Sequence, residues 1–377
     1  MKFYLPTEII FGSGKISELG QVAKEKLCAS RPFLVTDKGI QEAGIVEKIR
    51  SQLPGIPIFD EVEQNPRHST VNWGGGLARQ LYPDLIIGLG GGSPLDAAKA
   101  IALLATNPGR IEDYEGKEQY ISPPLQVLAI PTTCGTGSEV TWVSVITHTA
   151  RKFKMSIKGP QMFPAAALVD PDLLLTLPPR LVASTGLDAL THAVEAYTVK
   201  PANFITDIFA RESLRLIFRH LEDACQDIRG NNEAREGMMK ASLLAGMAFG
   251  NSDVGAVHCL AESVGSLYDT PHGVANAVFL PYVMEFNLDV SLGKYAEIAA
   301  IAGIKTEKKK EAALKLIQEI KRLSRALSIP SFHDLGIDEK DFAIIAQKSF
   351  ENNSNPSNPR EATAADYLTI LKRASQQ

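Results

Sequence analysis

The sequence predicts an α/β domain built on a doubly wound parallel sheet, followed by an all-α domain, and three observations carry that reading. Short apolar runs alternate with helical stretches up to about Asp170, the order expected when helices cross over between parallel strands. Pro171 and the segment Leu177-Pro178-Pro179 interrupt the pattern, because consecutive prolines continue neither a helix nor a strand. Beyond them, apolar residues recur every three or four positions, the period of helices packed on one side. The expected division is therefore residues 1–177 and 178–377.

Taken in order, Thr7 to Phe11 reads as a strand near a terminus, able to pair across a two-fold axis. Gly12-Ser13-Gly14 lacks a third glycine at the dinucleotide offset and reads as a helix start. Phe33 to Thr36, Leu85 to Leu89, Val127 to Ile130, Val143 to Thr147 and Ala166 to Val169 supply the sheet. Their unbroken apolar character suits strands covered on both faces. In the second half, Ile205 to Leu221, Ala234 to Phe249 and Ala312 to Leu327 carry helical spacing.

Composition narrows the class. With 377 residues and 45% hydrophobic content, the chain can bury the cores of two domains. A net charge of −4 gives no reason to expect nucleic acid or an acidic membrane as partner. The one basic run, Lys308-Lys309-Lys310, lies between Glu307 and Glu311 and reads as a solvated helix start. No window approaches about eighteen uninterrupted apolar residues, and Met1 to Pro6 lacks a signal-peptide core. The expected compartment is the cytoplasm, in keeping with four unclustered cysteines at 28, 134, 225 and 259.

Two glycine-rich turns follow apolar strands. Gly90-Gly91-Gly92-Ser93-Pro94-Leu95-Asp96 closes the first. Ser93 is expected as N-cap of the next helix, with Pro94 first and Asp96 third in it. Such a turn lets a pyrophosphate approach the backbone and the positive end of a helix. Pro131-Thr132-Thr133-Cys134-Gly135-Thr136-Gly137-Ser138-Glu139 supplies a second hydroxyl-rich turn. Either turn alone has an ordinary structural reading; two after successive strands favour a nucleotide. Asp37, at the carboxyl end of Phe33 to Thr36, can accept a ribose 2′-hydroxyl and would repel a 2′-phosphate, which favours NAD over NADP. The alternative is that Asp37 caps the next turn.

Asp188 and His192, four residues apart, share one helix face and can grip one ion. His258 lies in an apolar run where an unpartnered imidazole is costly, and His272 follows Pro271 at a loop-to-helix junction. Each histidine by itself has a structural reading as a hydrogen-bonded core residue. One carboxylate and three imidazoles in one region outline a divalent-metal site. Such donors accept Fe(II), and also Zn(II) or Mn(II).

Four segments together resemble the signatures of the iron-activated (group III) alcohol dehydrogenases: Gly90 to Lys99, Pro131 to Thr141, Gly186 to Tyr197 and Thr270 to Ala277. The resemblance runs nearly end to end and extends to Asn358-Pro359-Arg360. It implies a dehydroquinate-synthase-like architecture: an N-terminal dinucleotide-binding domain and a helical metal-binding domain. The implied activity is metal-dependent and NAD-linked, interconverting primary alcohols or short diols and aldehydes by hydride transfer from a metal-bound alkoxide. The family's ligands fall on Asp188, His192, His258 and His272. Its cofactor contacts fall on Asp37, Asn65, Gly91, Gly92, Ser93, Asp96, Thr132, Thr133, Ser138, Thr141 and Lys154. A homodimer or higher homo-oligomer is implied, with Fe(II) as the metal.

One departure concerns the substrate. Many members carry a further histidine four residues after the third ligand, where this chain has Glu262. A turn beyond His258, Glu262 either faces the same cavity, relaying a proton or holding a polar substrate, or is a solvated or ion-paired side chain. Glycerol-dehydrogenase-like and hydroxy-acid dehydrogenases on the same fold are the alternatives, the former expected to show a different ligand pattern. Outside enzymes, an NAD- or metal-binding sensor is the rival, and no added domain supports it.

Overall fold

The structure, a computed structural model, describes residues 3–376. It resolves into two compact units, one over Tyr4–Leu177 and the other over the chain from Pro178 onward together with Phe3.

The strands of the first unit are β1 (Glu8–Phe11), β2 (Pro32–Val35), β3 (Ile58–Phe59), β4 (Leu85–Gly90), β5 (Gly116–Lys117), β6 (Gln126–Pro131), β7 (Val143–His148), β8 (Phe153–Lys158) and β9 (Ala166–Val169). Its helices are α1 (Leu19–Gln21), α2 (Lys38–Glu42), α3 (Ile45–Arg50), α4 (His68–Leu81) and α5 (Gly92–Thr106). Six strands form one parallel sheet in the order β1-β9-β6-β4-β2-β3. All six residues of β4 are buried, as a central strand under helices on both faces requires. Alternate residues feed two cores. Phe33, Val35 and Ile86 pack with Ile101 and Leu104 on one face, and Leu34, Leu85 and Ile87 pack with Ile45 and Ile49 on the other. The period of two along each strand produces that partition, and each fully buried Ile or Leu contributes roughly 1.5–3 kcal/mol.

The expectation for Val143 to Thr147 requires correction. These residues form β7, which pairs antiparallel with β8 in a separate three-stranded sheet of order β5-β8-β7. Burial along β7 alternates rather than being continuous, the mark of a strand covered on one face. β8 was not anticipated, although Phe153-Lys154-Met155-Ser156-Ile157-Lys158 alternates apolar and polar residues at the strand period.

The second unit is helical: α6 (Pro179–Thr198), α7 (Phe204–Asp227), α8 (Asn232–Phe249), α9 (Ala256–Tyr268), α10 (His272–Ile301), α11 (Lys309–Ala326), α12 (Phe342–Glu351) and α13 (Ala364–Ala374). Asn203 caps α7 with its side chain on Ile205 N and Thr206 N, and Asn231 caps α8 through Ala234 N, satisfying amides that the first turn leaves open. Sixteen of the twenty residues of α6 are buried, so this helix runs through the core and carries Asp188 and His192 inside it. No described helix is long and apolar enough to cross a membrane.

Candidate metal and cofactor sites

In the helical unit, α6 presents Asp188 and His192 on one face, α9 contributes His258 from its first turn, and α10 begins with His272. The start of α10 lies hard against α6: a Cβ on Gly273 would stand 2.4 Å from the Ser184 carbonyl oxygen, so only glycine permits this approach. One donor atom from each of Asp188, His192, His258 and His272 lies within 4.8 Å of the others. Asp188 Oδ2 is 3.9 Å from His192 Nδ1, and Asp188 Oδ1 is 3.9 Å from His272 Nε2. Phe249 stacks on the His192 ring at 4.2 Å between centroids, restricting its orientation.

Two residues that sequence reasoning did not single out complete the cluster. Asn276, one turn after His272, donates from Nδ2 to Asp188 Oδ1 at 2.7 Å and stands 3.2 Å from Nε2 of both His258 and His272. Glu195 lies 2.5 Å from His258 Nδ1 through Oε2. Burial resists protonation of His258, but the Glu195 carboxylate, with Asp188 and Glu262, holds its pKa above the ordinary value. The spacing carried a signal for both: Glu195 is three and seven residues beyond His192 and Asp188, and Asn276 four beyond His272.

Glu262 accepts a hydrogen bond from Asn352 Nδ2 at 2.6 Å, which ties its carboxylate to the segment after α12. Cys134 and Cys259 are buried, as packing roles require. Burial pushes the Cys259 thiol well up from its ordinary pKa, which leaves it neutral beside the histidine.

In the α/β unit the two glycine turns meet at the carboxyl ends of neighbouring strands β4 and β6. Thr132 N donates to Gly90 O at 2.9 Å. A Cβ on Gly92 would lie 2.8 Å from Thr136 Cγ2, and one on Gly91 3.1 Å from Thr133 Cγ2, so the loops are in van der Waals contact. The capping expectation is corrected here. Gly91, not Ser93, is the N-cap of α5, and no side chain caps it. Leu95 N reaches the Gly91 carbonyl at 3.3 Å, which starts the helix early and moves Pro94 to its third position, where no intrahelical N–H is needed.

Asp96 is consequently free for another task. Its carboxylate accepts from Ser138 Oγ at 2.6 Å and Val145 N at 3.0 Å. Lys99, fully buried, stands 3.1 Å from Asp96 Oδ1, and donates to Ser138 Oγ at 2.7 Å, to Thr141 Oγ1 at 3.3 Å and to the Val143 carbonyl. Burial pulls the Lys99 pKa down, against Asp96 and Glu139. Glu139, next to Ser138 in sequence, is buried, and burial pushes its pKa up to about 7 against the pull of its own backbone amide and of Lys99.

Asp37 lies just past β2 and accepts from Ile40 N at 2.8 Å, capping α2. Its Oδ2 also comes within 3.4 Å of where a Cβ on Gly90 would stand, which places it beside the first glycine turn. Burial pushes its pKa up against the pull of the Ile40 and Gly39 amides. Asn65, in the left-handed region at φ 54°, accepts from Lys154 Nζ at 2.8 Å, and both are buried.

Residues 6–171 match the family model for iron-containing alcohol dehydrogenase, and residues 182–375 match that of the Fe-containing alcohol dehydrogenase family, C-terminal. The chain belongs to the iron-containing alcohol dehydrogenase family. It is 41% identical to 1,3-propanediol dehydrogenase of Citrobacter freundii, covering 99% of this chain and 98% of the relative. It is 37% identical to NAD-dependent methanol dehydrogenase of Bacillus methanolicus, covering 99% of each. A crystal structure of 1,3-propanediol oxidoreductase superposes with a TM-score of 0.94 at 41% identity, covering 99% of both chains. This iron-containing alcohol dehydrogenase is accordingly an oxidoreductase, and its family's chemistry is the NAD-linked interconversion of alcohols and aldehydes. The sheet with its covering helices and the separate helical unit are that family's dehydroquinate-synthase-like fold.

Both of the family's bound groups fit residues present here. A carboxylate and three imidazoles are the borderline donor set that a divalent first-row ion takes. In the α/β unit, Thr132 Oγ1 and Thr133 Oγ1 are buried without a partner beside the uncapped start of α5. Hydroxyls so placed need an acceptor or donor that the protein does not supply, and a dinucleotide's phosphates and amide can provide one.

Proposed function

We propose that this enzyme interconverts short primary alcohols or diols and their aldehydes, with Asp188, His192, His258 and His272 as the ligands of a divalent ion, Fe(II) by preference. The convergence of four donor atoms from α6, α9 and α10 within 4.8 Å carries this reading. When bound, the ion supplies Lewis acidity toward an alcohol or carbonyl oxygen. Relatives whose names specify 1,3-propanediol and methanol, at 41% and 37% identity, support small alcohols as the substrate class.

The residues of the α/β unit divide the work of holding NAD. Gly91, Gly92 and Ser93 leave room and amides for the pyrophosphate at the start of α5. Thr132, Thr133, Ser138 and Thr141 offer hydroxyls, with Asp96 and Lys99 fixing Ser138 and Thr141. Asp37 accepts a ribose hydroxyl, and the Asn65–Lys154 pair holds a polar part of the cofactor. Glu262, steadied by Asn352, holds the second hydroxyl of a diol or relays a proton.

The enzyme acts in the cytoplasm as a homodimer or larger homo-oligomer. Four cysteines without clustered spacing support the compartment. The position of β1 at the sheet edge supports pairing across a two-fold axis.

The test is to strip the metal anaerobically and follow NAD reduction on methanol, ethanol, 1,2-propanediol and 1,3-propanediol after adding Fe(II), Zn(II), Mn(II) or nothing. Activity restored by Fe(II) on these alcohols is expected. Full activity without any ion removes the metal from the reaction, and no activity with any ion removes the substrate class.

A further inference from the structure

Helix α9 carries His258 in its first turn, yet the helix has no cap of its own, because Gly255 at its N-cap offers no side chain. The open amides of that turn are satisfied from elsewhere in the helical unit. Ala256 N donates to Asn358 Oδ1 at 3.2 Å, and Val257 N donates to Glu195 Oε1 at 2.8 Å. Asn358 is held in turn by a reciprocal amide pair with Asn287, at 3.0 and 2.9 Å. A Cβ on Gly255 would come to 3.0 Å from both Asn358 Oδ1 and Glu195 Oε1, so the two acceptors close tightly over the helix start.

The second oxygen of Glu195 meets His258 Nδ1 at 2.5 Å, and both side chains are buried. An ionised carboxylate only accepts, so Nδ1 is the donor and the proton is fixed there. In the neutral ring that an ion requires, Nε2 is then the lone-pair nitrogen, and Nε2 is the atom facing Asn276 and the donor cluster. One carboxylate thus sets the position of the helix that carries the histidine and the tautomer of the ring.

We infer that Glu195 is a positioning residue of the ion site, acting through His258, with Asn358 holding the same helix start. This rests on the reading that the cluster binds a divalent ion. Glutamine at position 195 has a single oxygen. It either keeps Val257 N or serves His258, and an NH2 turned toward Nδ1 would force the ring proton onto Nε2, the atom needed for the metal.

The experiment compares Zn(II) affinity, by competition with a chromophoric chelator on the full metal-free chain, for the wild type, Glu195→Gln and Glu195→Asp. NAD affinity is measured on the same samples. Glu195→Gln is expected to weaken Zn(II) binding roughly 10- to 100-fold with NAD affinity unchanged. Glu195→Asp, one methylene shorter, must give up one of its two bonds and should weaken it as well, which keeps the test open if the glutamine variant does not fold. Zn(II) affinity within twofold of wild type in either variant overturns the inference. A parallel loss of NAD affinity also overturns it, because that marks a general structural role. A wild-type chain that takes up no Zn(II) fails differently, removing the metal reading on which the inference rests.

Discussion

Lys99 Nζ donates to Ser138 Oγ at 2.7 Å across the two glycine turns, while Asp96, one turn before Lys99, accepts from the same hydroxyl at 2.6 Å. The bond fastens the start of α5 to the turn after β6, so the loops proposed to hold NAD are joined by a buried charge. Lys99→Met leaves Asp96 without its cation and should cost about 3 kcal/mol or more in urea unfolding. NAD affinity should fall roughly tenfold. Adding Asp96→Asn should recover part of the stability, because the uncompensated charge is then gone. Wild-type stability in Lys99→Met would show that the ion pair does not hold the loops.

Gly92 permits the contact between the turns, since an added Cβ would stand 2.8 Å from Thr136 Cγ2. Gly92→Ala should push the turns apart, weakening NAD binding about tenfold and destabilising the fold by about 1–3 kcal/mol. Thr136→Ser removes the obstructing methyl. Calorimetric titration with NAD should therefore find the double variant closer to wild type than Gly92→Ala alone.

Glu139 gives the stability a pH dependence of definite sign. Its carboxyl is protonated up to about pH 7 in the folded protein, against an ordinary value of 4.5. Between those values the folded state binds more protons than the unfolded state, so stability falls as pH rises and levels above about 7. Glu139→Gln should flatten that slope and gain on the order of 3 kcal/mol at pH 8 relative to its effect at pH 4. Chemical unfolding of the metal-free protein across this range is the measurement, and an unchanged slope would assign the dependence elsewhere.

Asp37 has two tasks to separate, capping α2 through Ile40 N and, on the proposed function, reading the ribose. Asp37→Ser keeps an N-cap acceptor and removes the negative charge. The ratio of kcat/KM for NADP to that for NAD should rise roughly tenfold. A preserved ratio would reduce Asp37 to its cap.

What could be read in the sequence was whatever depends on spacing along one element. Asp188 and His192 fall on one face because a helix repeats every 3.6 residues, and the apolar runs of β4 and β6 announce buried strands. By the same rule, Glu195 was within reach, but its carboxylate acquires meaning only once α9 is known to place Val257 N and His258 Nδ1 against it. Ser93 failed as an N-cap because a helix starts where the backbone first closes a bond, here at Gly91, and local residue preference does not decide that. Val143 to Thr147 was recognisable as a strand and assigned to the wrong sheet, since pairing partners lie elsewhere in the chain.

The sequence by itself determined most element types, the two classes of core and a set of candidate residues for an ion and a dinucleotide, because side-chain chemistry and periodicity are local properties. Tertiary structure alone decided that donors from α6, α9 and α10 come within 4.8 Å, that Lys99 closes the two glycine turns, and that Glu195 and Asn358 cap α9 from outside it. These are contacts between residues tens to more than a hundred positions apart, and their energies exist only after the chain has paid the entropy of bringing them together.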